Sequence, residues 1–195
     1  MTKYRIVLSL VVLLLSAQLL GAQGALAKPK LHLQVDPTRS GAEILLNGNF
    51  HTVEGSFAMK RGGIDYEPAT GKASGEIVFD ATSGKTGSDA RDKKMHKDVI
   101  ESGRFPEISF RPDRADGTLA ESGDSTLQVH GIFSIHGADH EITIPVTVHI
   151  EGHDWGAKAD FQVPYAKWGM KNPSVLFLRV ANMVDVKFHA AGSTQ

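Results

Sequence analysis

Apolar and polar residues alternate with period two along most of the chain. Leu31, Leu33 and Val35 alternate with polar neighbours, as do Val53, Gly55, Phe57 and Met59. Ala73, Gly75, Ile77 and Phe79 repeat the pattern, and Leu127, Val129, Phe133 and Ile135 continue it with Gly131 as a gap. Ile142, Ile144, Val146, Val148 and Ile150 form the cleanest set; Val184, Val186 and Phe188 close the series between Asp185, Lys187 and His189. Successive side chains on a strand point to opposite faces, so this pattern predicts half-buried β-strands. Many such strands joined by glycine-rich turns predict an all-β antiparallel sandwich or barrel. One segment, Ser88 to Gly103, breaks the alternation. Ser88 suits a helix N-cap and Gly103 a C′ position, and Met95, Val99 and Ile100 make a narrow apolar stripe at helical spacing. It predicts one short helix lying across the sheet. Phe105 is expected to pack beneath it, and Pro106 to begin the next strand. Gly62-Gly63 and the stretch from Gly117 to Ser125 read as hairpin loops, and residues 191–195 (AGSTQ) as a flexible tail.

The first residues follow another rule. Lys3 and Arg5 precede a long uncharged apolar run that ends in Ala25-Leu26-Ala27. That order of basic, apolar and small-residue sites predicts a signal peptide over residues 1–27, with an uncleaved membrane anchor as the alternative. Residues 28–190 then form one domain large enough to bury a core. The signal takes two of the 21 basic residues and none of the 22 acidic ones, so the remainder is slightly acidic. Nothing in the charge balance favours nucleic acid or an anionic membrane surface as a partner. The chain has no cysteine, so it relies on its core rather than on disulfides and carries no lipid-modified cysteine at the cleavage site. The expected location is a bacterial periplasm or a similar space.

Candidate chemistry is sparse. Ser83 to Ser88 (SGKTGS) superficially suggests a phosphate loop, but Phe79 stands where that motif needs its first glycine, so it reads as a turn between strand and helix. His136 and His140 flank a turn, since Gly137 and Asp139 supply turn chemistry between two strands. Strand parity puts His136 and His149 on the outward face. A metal site built from His136, His140, His149 and His153 is the alternative, and it needs ligands that converge. His96 and Asp92 stand four apart with Arg91 beside them, the pattern of a solvated helix face. Without a cysteine or a G-x-S-x-G elbow the chain lacks an assembled nucleophile, and no enzyme activity and no cofactor are expected. Periodicity alone does not separate a filled core from a lined cavity, although a barrel of about eight strands has room for one small ligand.

The order of several motifs resembles the YceI-like family of exported proteins. VDPTRS and HTVEGSF come first, followed by GEIVFDATSGKTGSDARDKKMHKDVIESGRFPEISF, VHGIFSIHGADHEITIPVTV, DWGAKADF and KWGM. Glu54 departs from an arginine usual in that family, VPYAKWGM offers Tyr165 and Lys167 in place of Arg and Asp, and PSVLFLRVAN (173–182) is not the common form. The resemblance implies an extended lipocalin-like antiparallel barrel of about eight strands, capped at one end by a short helix. It also implies a long-chain isoprenoid lipid or quinone inside, carried or sequestered, with a role in stress response. A metal-binding protein and a ligand-free structural barrel are the alternatives. The expected lining is Val53, Phe57, Met59, Ile77, Phe79, Phe133, Ile135, Ile144, Val146, Val148 and Phe161, with Met95, Val99 and Phe105 closing the helix end. Arg91, Lys94 and His96 are the candidates for a polar head group at the mouth. Membrane contact is expected only for lipid exchange, and a homodimer is allowed.

Overall fold

A computed structural model describes residues 29–194; the expected signal peptide lies outside them. Nine strands form a single antiparallel sheet: β1 (Leu31–Val35), β2 (Gly41–Asn47), β3 (Thr52–Glu67), β4 (Lys72–Asp80), β5 (Glu107–Asp116), β6 (Gly123–Ile135), β7 (Ala138–Glu151), β8 (Asp154–Val163) and β9 (Val184–Thr194). The sheet closes on itself. β3 to β9 pair in sequence, except that β1 and β2 share one lane between β3 and β9. β1 takes the half nearer Tyr66, and β2 the half nearer Val53. A 3₁₀ turn over Pro37–Arg39, begun by the Asp36 carboxylate accepting from the Thr38 amide, breaks that lane in two. The result is an eight-lane barrel, in which closure removes the exposed edges of an open sheet.

The predicted alternation holds in β1, β4, β6, β7 and β9, and in β3 a bulge resets it midway. Register shifts between Met59 and Arg61 on β3, so the inward residues change from Val53, Gly55 and Phe57 to Ile64 and Tyr66. Gly62-Gly63 is therefore the middle of β3, not a hairpin loop; the turn comes later, at residues 68–71. The flexible tail is also corrected. Residues 191–194 belong to β9, where Gly192 pairs with Val35 and Trp155. A Cβ on Gly192 would run into the Gln34 carbonyl oxygen, so only glycine permits the close approach of β1.

The helix forms where expected, with a different end. Helix α1 (Asp89–Lys94) widens into a π-helical turn over Met95–Val99, closed by the Ile100 amide donating to the Met95 carbonyl at 3.0 Å. Ser88 makes no side-chain cap bond. Glu101, with φ of 47°, takes the left-handed position assigned to Gly103. Met95, Val99 and Ile100 do face the barrel.

The β6–β7 hairpin turns on His136 and Gly137, whose φ values of 53° and 73° are those of a two-residue type I′ turn. His136 thus sits in the turn itself, and strand parity does not apply to it. His140 lies two residues into β7, opposite Phe133.

Candidate lipid-binding site

The barrel interior holds a cavity of about 470 Å³, within the range of small-molecule sites. Its wall is built by the inward residues of every lane. β7 supplies Ile144, Val146 and Val148; β6 supplies Leu127, Val129, Phe133 and Ile135; β9 supplies Val186, Phe188 and Ala190. Aromatic rings stud the wall in edge contacts: Phe133 lies 6.2 Å from Phe161, and Phe79 lies 6.1 Å from Phe188. Alanines make the room. Ala42, Ala73, Ala115, Ala157, Ala159 and Ala190 all line the cavity, and six methyl groups in place of larger side chains leave the centre of the barrel unfilled.

The two ends differ. At the far end, buried Leu119 from the β5–β6 connection and buried Trp155 complete the lining. At the other end the wall continues into loops: the β2–β3 turn with Phe50, helix α1 with Arg91 and Lys94, the π-helical turn with Met95, and the long β8–β9 connection with Pro173, Val175, Leu178 and Arg179. Phe50, Val175 and Leu178 are exposed to solvent, so this end is the mouth.

Polar groups on the wall are few, and those that bear charge are cationic. Burial raises the Tyr66 phenol above its ordinary value, helped by the Asp116 carboxylate, and burial raises Tyr165 likewise; both remain protonated at neutral pH. The Tyr165 hydroxyl donates to the Ala181 carbonyl at 2.6 Å, tying the start of the β8–β9 connection to its end. Arg91, Lys94 and Arg179 line the mouth, and no Asp or Glu among the described residues joins them. Arg91 donates to the Thr86 carbonyl at 2.8 Å, and Lys94 to the Pro173 carbonyl at 2.8 Å. The Asp92 carboxylate accepts from the Thr86 amide and hydroxyl, so SGKTGS is a turn stapled to the helix.

Of the fourteen residues expected to line the barrel or close its helix end, twelve share this wall: Val53, Phe57, Ile77, Phe79, Met95, Val99, Phe133, Ile135, Ile144, Val146, Val148 and Phe161. Met59 and Phe105 do not. Met59 is buried in the core, paired with Phe79 just before the β3 bulge, but is not part of the wall. Phe105 packs outside the barrel, its ring 5.0 Å from that of His136 and over Gly137. Among the head-group candidates, Arg91 and Lys94 reach the mouth and His96 does not. The His96 ring is a brace, 2.9 Å from the Ser102 hydroxyl and 2.8 Å from the Gly84 carbonyl. Sequence reasoning left out of the lining the wall alanines, other inward residues such as Leu127, Val129, Val186 and Phe188, and the mouth residues of the loops. The Trp155, Ala157, Ala159, Phe161 alternation was the available signal for the two alanines of β8.

The four histidines considered as metal ligands stand apart. His136 has Nε2 3.3 Å from the Glu101 carboxylate, and His140 stacks on Trp168 with ring centroids 4.0 Å apart. His149 lies 2.7 Å from Asp124, and the His153 carbonyl accepts from Thr194 at the far end of the barrel. Desolvation under Trp168 lowers the His140 pKa.

Known proteins resemble this chain in sequence or in fold. A UPF0312 protein of Vibrio parahaemolyticus is 26% identical over 149 residues, covering 75% of this chain and 74% of that one. The solved structure of BcnA from Burkholderia cenocepacia superposes with a TM-score of 0.65 at 21% identity, over 82% of this chain and 99% of that one. A polyisoprenoid binding domain from Saccharophagus degradans does so with a TM-score of 0.65 at 16% identity, over 84% and 98%. The model of the YceI-like domain matches residues 33–191, so the chain belongs to the YceI-like family.

Proposed function

We propose that this protein binds a long-chain isoprenoid or a similar lipid in the barrel and carries or sequesters it across an aqueous compartment, the periplasm. The observation that carries this is the composition of the cavity: an apolar wall on every lane, alanines that keep it open, and a cationic mouth. A long apolar tail does not cross water unaided. Burying about ten methylene equivalents at ~0.8 kcal/mol each supplies roughly 8 kcal/mol, from which ordering the chain and lost translational freedom subtract several. The tail occupies the barrel, and Arg91 and Lys94 stand where a polar or phosphorylated head would emerge. The wall among the described residues is mostly apolar, which favours binding over catalysis.

The test is a titration of delipidated protein with isoprenoids of increasing length, read by tryptophan fluorescence, since Trp155 is part of the wall. Affinity should rise with each added isoprene unit until the cavity is filled and then level off. Affinity that does not depend on chain length would sink the proposal.

A further inference from the structure

The segment singled out as unusual in the sequence, 173–182, forms the outer lip of the mouth. Val175 and Leu178 exchange both backbone hydrogen bonds, at 3.0 and 2.8 Å, and project a tight turn with Leu176 and Phe177 at its tip. These two side chains are 88% and 83% exposed. Leu176 adopts φ of 46°, a conformation that glycine takes at lower cost. A turn shaped only for solubility would carry glycine or asparagine there; this one carries leucine.

The tip belongs to a larger patch. Asn49 accepts from the Arg179 amide and donates to the Phe177 carbonyl, which locks the β2–β3 turn against the lip. Phe50, 71% exposed, therefore stands beside the tip. Single exposed apolar residues are ordinary, but contiguous ones mark a binding surface. Among the described residues, the charged side chains that line the cavity mouth are cations, Arg91, Lys94 and Arg179, with the Asp92 carboxylate behind them bonded to Thr86, although the chain as a whole carries a net charge of −1.

We infer that Leu176, Phe177 and Phe50 insert into the interface of a lipid bilayer while Arg91, Lys94 and Arg179 face its phosphates, docking the open mouth on the membrane. The inference rests on the isoprenoid-binding proposal above and adds where the lipid enters. Apolar tips with cations behind them suit the headgroup region, where apolar burial and attraction to anionic lipid act together. Docked in this way, the cavity continues into the bilayer through Phe50, Val175 and Leu178, and a tail passes from one apolar phase to the other without meeting water. The patch is small enough for the contact to be reversible, as an exchange step requires.

The test is flotation of the full mature chain with vesicles of phosphatidylcholine alone or mixed in equal parts with phosphatidylglycerol. The wild type should float with the mixed vesicles and less with phosphatidylcholine alone. The double variant Leu176→Ser/Phe177→Ser, whose residues lie outside the cavity wall, should bind at least about tenfold more weakly, from the burial each large apolar side chain contributes. It should still take up isoprenoid delivered on cyclodextrin as the wild type does, and lag only when the isoprenoid is offered in vesicles. Equal flotation of variant and wild type overturns the inference. So does a wild type that ignores vesicles but sediments as a dimer that the double variant lacks, since the patch is then an interface between copies. A wild type that floats through the patch but takes up no isoprenoid from either source leaves the docking surface standing and removes the carrier function.

Discussion

Replacing Ala159 by leucine separates an open barrel from a filled one. Ala159 lies midway along β8, between Val146 of β7 and Phe188 of β9, and its methyl group points into the cavity. In a close-packed core the larger side chain would force its neighbours off their rotamers, at a cost of typically ~1–3 kcal/mol. Here it enters unfilled space of about 470 Å³, so the delipidated variant should be as stable as the parent or slightly more so. Ligand binding should suffer instead. The side chain takes space for about three methylene equivalents of a tail. At ~0.8 kcal/mol each this is ~2.4 kcal/mol, a weakening of roughly fiftyfold at ~1.4 kcal/mol per factor of ten. Urea denaturation of the lipid-free proteins measures the first quantity, and isoprenoid titration the second. A variant destabilised by ~2 kcal/mol with unchanged lipid affinity would refute the reasoning.

Three further predictions follow from other parts of the fold. Gly192→Val should push β9 off the Gln34 carbonyl and lower stability by ~2–3 kcal/mol in the same denaturation assay; no change would mean that residues 191–194 are not a strand. Phe133→Ala should cost less than the ~3–5 kcal/mol of a fully packed phenylalanine, because one side of its ring faces the cavity, and should weaken lipid binding as well. His130 lies 2.7 Å from Asp113 and 2.9 Å from Glu141, and the Asp113 contact chiefly raises its pKa. Its contribution to stability is thus present below about 6.5 and lost as pH rises through the higher folded value. NMR titration of the ring should show a midpoint above the ordinary value in the parent, falling toward it in Asp113→Asn.

The fold was largely legible in the sequence because strand alternation is a local signal. Ile142 to Ile150 alternate without interruption, and β7 follows with its inward face correct. Legibility ended where a long-range event decided the outcome. β8 escaped because Ala157 and Ala159 are too small to stand out as apolar positions, yet their smallness keeps the cavity open. β2 escaped because Ile44, Leu45 and Leu46 run consecutively and hide the period. Gly62-Gly63 has the composition of a turn, but its neighbours on β1 and β4 hold it in a strand. The same limit applies to the site. Alternation tells which side chains point inward, so Phe57, Ile77 and Ile144 could be named; it does not tell how far away the opposite wall lies. Nor does it show that the 173–180 segment folds back to the mouth, which depends on Asn49, about 130 residues earlier in the chain.

The central claim is that the cavity of this YceI-like barrel holds a lipid tail. It is tested most directly by isolating the protein from cells that produce it in exported form, extracting it with organic solvent and identifying the extract by mass spectrometry. The account predicts an isoprenoid species at close to one molecule per chain, reduced in Ala159→Leu. Protein that yields no lipid, and whose delipidated form takes up none, would contradict it.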